Sequence, residues 1–571
     1  MIPNNGRRVS RTTSIQAPTG GLNAKDPLAN MKETEAVTLE NWFPTPSSVD
    51  IRNGYEAHVT GMSTVQTLAP YNDGVQREMF GVSGNSIYNV TTAGAVGLPV
   101  VTGLTNSRFQ YINMGTAGGF FLLMVNGADK MRVYTGSTWY ADGTTTTVTG
   151  FDTANAAHIN NFKNRVWFIE KDSFNAWYLP VSSIGGAANN LDLSGLFRMG
   201  GYLMAMANWT IDNAAGVDDY AAFITSEGEV ALYKGTDPSS STTWALVGTF
   251  RMGRPVGRRC FTKAGADVLV ITTDGAFPLS KALLTDRSQL NLAATDNIST
   301  IFNSDVQAYG SVFGWQPIIH PFGKKLIINV PTTEGQVAHQ YVMNTSHGAW
   351  TKFTGWNAIC WETLGDELFF GGSNGVYKAD TGESDNGSAI VCVAQQAASY
   401  FGSKTGIKKW SMARPVFISN GTINPAIVLN VDFAQNRTAY APSFTDNVGS
   451  AWDVSDWNVA SWTRGDNIIK NWQTVTGVVY NNYQPELLIE MSIASLDKRW
   501  ATRHNIKAFF RYPFIQLGLE RVQTLCKAAD KGVVMFNKRL GFTPEGYHRK
   551  AFHGGHDAIS WSMLKPECKW I

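Results

Sequence analysis

Short runs of β-branched and aromatic residues, each cut off by a cluster of Gly, Asn, Asp or Ser, recur from about residue 60 to residue 385. The clearest series lies between Lys325 and Asp380. It runs Leu326-Ile327-Ile328-Asn329-Val330, Gln340-Tyr341-Val342-Met343-Asn344, Ala349-Trp350-Thr351-Lys352-Phe353, and then Glu367-Leu368-Phe369-Phe370 turning through Gly371-Gly372-Ser373-Asn374 into Gly375-Val376-Tyr377-Lys378-Ala379. Apolar runs of strand length between turn formers predict consecutive antiparallel hairpins. The same unit is predicted around Gly84 to Val90 and Lys130 to Trp139. It is predicted again where Arg165 to Ile169 faces Ala176 to Pro180, where Ala221 to Thr225 faces Glu229 to Tyr233, and where Val268 to Thr272 faces Ala276 to Leu279. One aromatic marks each unit: Tyr88, Tyr134, Tyr178, Tyr233, Phe277, Tyr341 and Tyr377, at intervals of 46, 44, 55, 44, 64 and 36 residues. One four-stranded propeller blade takes about 40–50 residues. A hairpin pair with an aromatic face cannot bury it alone, whereas radially packed blades bury both faces and leave only short edges. The expectation is a mainly β chain with a β-propeller over 61–390; unrelated sandwich hairpins are the alternative.

The flanks break this rhythm. Residues 1–60 form an N-terminal arm and connector: a basic, Thr- and Ser-rich stretch to about residue 19, expected to order only against a partner, then Pro-punctuated turns around a segment whose Leu39, Trp42 and Phe43 have the spacing of one helical face. Residues 391–485 leave the repeat through an Ala-rich stretch and carry Trp452, Trp457, Trp462 and Trp472 in a Gly- and Asn-rich background, read as a Trp-rich β platform or subunit-contact domain. Past Pro485 the period changes again. A strand over Glu486 to Ala494, a helix over Arg503 to Leu517 broken near Pro513, a strand at Glu520 to Cys526, a helix from Val533 to Leu540 closed by Gly541, and a final β pair make 486–571 a small α+β module.

Composition sharpens the picture. With 43% hydrophobic and 16% charged residues the chain is globular, and 571 residues exceed what one core supports. The net charge of +2 hides an asymmetry: from Met491 to Ile571 there are 14 Lys and Arg against 6 Asp and Glu, a balance of +8, so the remainder carries 33 against 39, or −6. A basic C-terminal module facing an acidic partner, or a basic solvated surface, follows. Five separated cysteines (Cys260, Cys360, Cys392, Cys526, Cys568) suit reduced thiols of a protein made in a cytoplasm. The N-terminus lacks a secretory apolar run and no stretch reaches membrane-spanning length, so no membrane insertion is expected.

Candidate chemistry is sparse. His548, His553, His556 and Cys568 cluster without helical ligand spacing, so solvated loop histidines are the plainer reading than a metal site. The basic sets Arg251, Arg254, Arg258, Arg259 and Lys404 to Arg414 could touch DNA phosphates, though surface arginines near subunit contacts explain them as well. Asp274-Gly275 and Asn374-Gly375 are turn formers. No residue is assigned a catalytic, cofactor-binding or metal role.

Two family resemblances bear on function. The series Gly20-Gly21-Leu22-Asn23, Asp26-Pro27-Leu28, Leu39-Glu40-Asn41-Trp42-Phe43-Pro44 and Arg52-Asn53-Gly54-Tyr55 resembles the opening of tail nozzle (tail tubular) proteins of short-tailed bacteriophages, and the Trp series after the propeller resembles the latter half of that family. The resemblance implies a structural virion protein with no catalyst: a homo-hexameric ring in the virion tail, assembled in the host cytoplasm, docked beneath a tail adaptor, in contact with tail fibres, and lining a channel for double-stranded DNA during ejection. Asn537-Lys538-Arg539-Leu540-Gly541-Phe542-Thr543-Pro544-Glu545-Gly546 and Asp557 to Met563 look like the second half of a GCN5-related N-acetyltransferase. Two departures argue against retained transfer. Arg499-Trp500-Ala501-Thr502-Arg503-His504 replaces the glycine-containing loop that in the family approaches acetyl-CoA pyrophosphate. The register that puts Asp530 at a family Asn puts Asn537 where a Tyr general acid often stands. Residues 440–485 offer no obvious first half of that fold. An active acetyltransferase appended to a propeller, and a glycan-binding tail protein, are the alternatives.

Overall fold

The computed structural model describes residues 14–213, 216–284, 292–401, 417–419, 469–472, 477–484, 487–494, 503–552 and 555–571. The chain is mainly β. Seven sheets follow one another along it. Sheet 1 holds Val65–Asn72, Arg77–Ser83 and Ser86–Asn89; sheet 2 holds Gln110–Thr116, Gly119–Val125, Arg132–Tyr134 and Trp139–Ala141. Sheet 3 is Ala156–Phe162, Arg165–Glu170, Asn175–Tyr178 and Asn189–Asp192, and sheet 4 is Leu203–Asn213, Gly216–Thr225, Glu229–Gly235 and Trp244–Arg251. Sheet 5 has Phe261–Ala264, Asp267–Thr272 and Gly275–Pro278. Sheet 6 is built on Gln316–His320, Lys325–Thr333, Val337–Asn344 and Trp350–Thr354, and sheet 7 on Cys360–Leu364, Glu367–Gly371 and Gly375–Ala379. The seven marker aromatics fall on the third strand of the seven sheets, one each.

Each sheet is buried on both faces, which is why its strands read as unbroken apolar runs instead of alternating ones. Leu122 faces sheet 1 with Tyr71 and Phe80, while Leu123 faces sheet 3 with Ile159 and Phe168. Trp167 turns from sheet 3 to Met206, Phe223 and Trp244 of sheet 4, and Ile224 turns from sheet 4 to Val268 and Val270 of sheet 5. Leu269 and Ile271 meet Leu326, Ile328 and Trp350 of sheet 6, together with Phe302 of the helix Ser299–Tyr309. Ile327, Val342 and Phe353 meet Trp361 and Phe370 of sheet 7, whose Phe369 and Val376 pack on Val65, Leu68 and Met79 of sheet 1. The packing order therefore returns to its start.

The N-terminal segment is stitched into this arrangement. Tyr55–Thr60, placed in the connector on sequence, is the fourth strand of sheet 7, pairing Ala379 with Tyr55 and Gly375 with Thr60. A Cβ on Gly375 would stand 2.1 Å from the Val59 carbonyl oxygen, so this close approach requires glycine. The helical face expected from Leu39, Trp42 and Phe43 is instead two strands, Glu35–Glu40 and Trp42–Pro44, divided at Asn41 with φ of 60°. Pairing with sheet 6 and with Val393–Gln396 decides the conformation over a spacing that suited either, and it sends Leu39 and Phe43 to different cores. Part of the expected arm is also packed: Ala17 is buried against the same core as Trp350. Val49–Ile51 pairs with Trp42–Pro44 and with Ile469–Trp472, which in turn pairs with Phe417–Ser419. Trp452, Trp457 and Trp462 lie outside the described residues.

The C-terminal sheet runs Gly477–Gln484, Leu488–Ala494, Arg521–Lys527, His556–Leu564, Thr543–Phe552 and so takes in a strand upstream of residue 486. Leu488–Ala494 and Arg521–Lys527 are parallel, and between them runs the helix Arg503–Arg511, continued as one wider turn over Tyr512–Gln516 where Pro513 withholds an N–H. Lys531–Leu540 is capped at its start by the Asp530 side chain and at its end by Gly541 with φ of 105°. Its core is Phe509, Phe510, Phe514, Val522, Leu540, Phe542, Trp561 and Met563.

Candidate functional site

Residues of the N-terminal motif hold the chain start onto sheet 6, and two of them, Asn41 and Arg52, meet at the seam between sheets 6 and 7. Arg52, with a fully buried side chain, uses all five of its N–H donors. Nε donates to Asn41 Oδ1 at 2.8 Å; one terminal nitrogen donates to the Asn53 carbonyl at 2.9 Å and to Asp385 at 2.7 Å; the other donates to the Thr354 carbonyl at 2.6 Å and to Asp385 at 2.5 Å. This is the planar, bidentate use for which lysine is no substitute. The guanidinium also lies 4.9 Å from the Trp356 ring centroid. Asn41 completes the group by donating to the Val391 carbonyl at 2.7 Å and accepting from the Thr354 amide at 2.8 Å. A Cβ on Gly54 would stand 1.8 Å from the Ser384 oxygen, and one on Gly21 2.6 Å from the Trp350 oxygen. Asn23 donates to Glu35 at 2.8 Å and Asp26 at 2.9 Å. The motif thus works as a latch that ties the N-terminal segment to the last two sheets.

A second polar group joins sheets that are not neighbours in the packing order. First strands of most neighbouring sheets lie side by side, and the polar side chains near them reach past the adjacent sheet. Arg259, at the entry to sheet 5, donates to Thr67 Oγ1 of sheet 1 at 2.8 Å and to the Phe109 carbonyl at the entry to sheet 2 at 3.0 Å. Tyr111 of sheet 2 donates to Glu362 of sheet 7, passing over sheet 1. Arg108 pairs with Glu334 beyond sheet 6, and both Arg108 and Arg259 stack on Phe313, 4.4 and 5.5 Å from its ring centroid. Burial pushes the Glu362 carboxyl up to about 7, against the opposing pull of the Tyr111 hydroxyl, the Thr363 amide and Arg259. Burial likewise lowers His158, which packs near Phe261 and Arg258, to about 4. Side chains thus link sheets 1, 2, 5 and 7 to one another across long stretches of sequence.

Other residues singled out from sequence are placed as follows. Arg254 pairs with Glu227 at 2.7 Å, while Arg251 and Arg258 are exposed, so the four arginines form no single anion-binding face. Lys404 to Arg414 and the loop Arg499 to Thr502 lie outside the described residues, as does His553. His548 contacts the Ser560 hydroxyl at 3.0 Å, His556 is exposed and Cys568 is buried in the C-terminal core; no metal-binding cluster forms among the described residues. Asp530 accepts from the Val533 amide at 3.1 Å, and Asn537 is buried with its Nδ2 unpartnered. The turn Gly371-Gly372-Ser373-Asn374-Gly375 has the GxSxG spacing of a hydrolase nucleophile. It joins two antiparallel strands, where that chemistry needs a strand-to-helix elbow. No helix among the described residues is long and apolar enough to cross a membrane.

No family model and no curated protein matches this sequence. Solved structures that match over 17% of the chain include a GNAT-family acetyltransferase from Bacillus anthracis (20% identity, 61% of that chain, TM-score 0.15). The ribosomal-protein-S5-alanine acetyltransferase from Vibrio fischeri (20%, 58% of that chain, 0.16) and a GCN5-related N-acetyltransferase from Brucella melitensis (26%, 47% of that chain, 0.15) match over the same share of this chain. The chain spans about half to three-fifths of the length of these proteins.

The crossing group escaped sequence reasoning because its partners are 251 and 192 residues apart. The available signal was Glu362 itself, an acid set in the apolar strand Cys360-Trp361-Glu362-Thr363-Leu364. A carboxylate in such a run needs a partner from elsewhere.

Proposed function

We propose that this chain is a structural subunit of the tail nozzle of a short-tailed bacteriophage, joining copies of itself in a closed, sixfold ring that holds and then conducts the genome. The observation that carries the reading is the latch: the residues behind the nozzle resemblance serve as framework, Gly21 against Trp350, Asn23 on Glu35, Arg52 on Asn41 and Asp385, and Gly54 against Ser384. In this reading the seven sheets are blades of a β-propeller, supported by their cyclic packing and by the N-terminal strand that completes sheet 7. In such a propeller the side chains that link sheets 1, 2, 5 and 7 fill the axis, which favours a DNA path between copies over one through each propeller. Tail adaptor and tail fibres are the expected partners, and the chain is not an enzyme.

The parallel strand, helix and strand over Leu488–Lys527 favour one competing reading, an active acetyltransferase module. Against it stands Asn537, whose amide has no proton to give at a useful pKa. Calorimetric titration of the full chain with acetyl-CoA separates the two: no saturable heat is expected, and saturable binding with acetyl transfer to an amine would overturn the structural assignment. A sedimentation measurement completes the test, with a species of about six monomer masses expected, alone or with adaptor protein.

A further inference from the structure

The C-terminal charge surplus is left unused by the latch, the inter-sheet group and the ring. Within the module four of the acids serve internal bonds. Asp530 caps a helix, Glu567 accepts from the Leu564 amide at 3.0 Å, Asp557 accepts from the Tyr547 hydroxyl and the Lys550 amide at 2.7 Å each, and Glu545 takes Arg521 and the Ser562 hydroxyl. Lys538, Arg539, Arg549 and Lys550 are exposed and form no ion pair among the described residues. Cations in a last helical turn suit the helix dipole, and cations on an edge strand discourage strand pairing. Neither role requires both sets on one small module four of whose acids are already engaged, with Tyr547 on the same strand exposed at 61%.

We propose that this edge, the outer strand Thr543–Phe552 with the end of the helix Lys531–Leu540 that leads into it, binds the phosphate backbone of duplex DNA without sequence preference. The strand is the free edge of its sheet, and with two bulges its ten residues lie opposite seven of the neighbouring strand, a length of about 23 Å. That is about two-thirds of one turn of B-DNA, about 34 Å. Charge complementarity decides the partner: unpaired guanidinium and ammonium groups on an exposed edge meet a polymer carrying one negative charge per about 1.7 Å of axis. The choice of DNA as the polyanion rests on the nozzle reading.

The test uses the full chain, a labelled 30-base-pair duplex of arbitrary sequence, and anisotropy titrations between 50 and 200 mM salt. Wild type is expected to bind with a steep salt dependence. The variant Lys538→Gln, Arg539→Gln, Arg549→Gln, Lys550→Gln is expected to bind about tenfold more weakly or worse at low salt, and its logarithmic salt slope to be shallower by about 0.9 per lost phosphate contact. Because all four residues are exposed, thermal melting of the variant should match wild type. Absence of wild-type binding, or equal affinity and slope in the variant, overturns the proposal. So does a variant that binds DNA as wild type does but no longer assembles, which would assign the face to a neighbouring copy. DNA binding lost in the variant of a chain that never forms rings would keep this proposal and remove the nozzle reading; rings with unchanged DNA binding would do the reverse.

Discussion

Arg52 shows how one residue carries a motif. Its side chain has no solvent exposure and its five donors have five acceptor contacts, so removing it leaves the buried Asn41 and the mostly buried Asp385 without their cationic partner. Arg52→Ala should lower stability by about 3–5 kcal/mol, the range for breaking a buried ion pair from one side. Arg52→Lys should recover little, because an ammonium cannot reproduce the planar fork. Denaturant melts of both variants check this, and a lysine variant near wild type would contradict it. Trp350, 1% exposed and donating Nε1 to the Ala294 carbonyl at 2.9 Å, makes the same point for packing. Trp350→Ala should destabilise by about 3–5 kcal/mol and impair assembly before any other property. Trp350 was legible in sequence as a packing residue, since a Trp in an apolar run is bulk to be buried. Arg52 was legible only as a word in a motif, because its acid partner lies 333 residues away.

At the scale of elements, hairpins were readable wherever apolar runs met turn formers, as at Ala221 to Tyr233, because neighbouring residues decide a hairpin. Residues 35–40 were misread since their partners, the strands Trp350–Thr354 and Val393–Gln396, are remote and decide strand over helix, whereas Trp42–Pro44 pairs with the nearby Val49–Ile51. The inter-sheet group joins elements in the same remote way, and its titration gives a signed expectation. Glu362 titrates near 7 in the fold against an ordinary 4.5, so the native state keeps its proton where the unfolded chain has lost it. Its contribution to stability is full below about 4.5 and is lost as pH rises through 7. His158, lowered from 6.5 to about 4, works in the opposite sense, contributing fully above 6.5 and losing that contribution as pH falls through 4. Melting temperatures across pH 4 to 8 should therefore fall at both ends. Glu362→Gln should flatten the upper limb alone; an unchanged upper limb would show that Glu362 is not its cause.

For the whole molecule, the structure joins seven doubly buried sheets, an N-terminal strand that completes the seventh, and a separate α+β module with surplus positive charge. The succession of sheets was visible in sequence through the seven aromatics, while the return implied by the propeller expectation could not be traced to particular residues, since sheet 7 meets sheet 1 through side chains such as Val376 and Val65 from opposite ends of the repeat. In the proposed propeller, the side chains that link sheets 1, 2, 5 and 7 fill the axis, so the conduit of the proposed nozzle should be the opening that several copies enclose. Electron-microscope reconstruction of the purified chain assembled with adaptor and duplex DNA tests this most directly. The account predicts a sixfold ring with DNA density on the symmetry axis and protein density filling the axis of every seven-sheet unit. Chains that remain monomeric with adaptor present, or DNA threaded through the middle of the seven sheets, would contradict it.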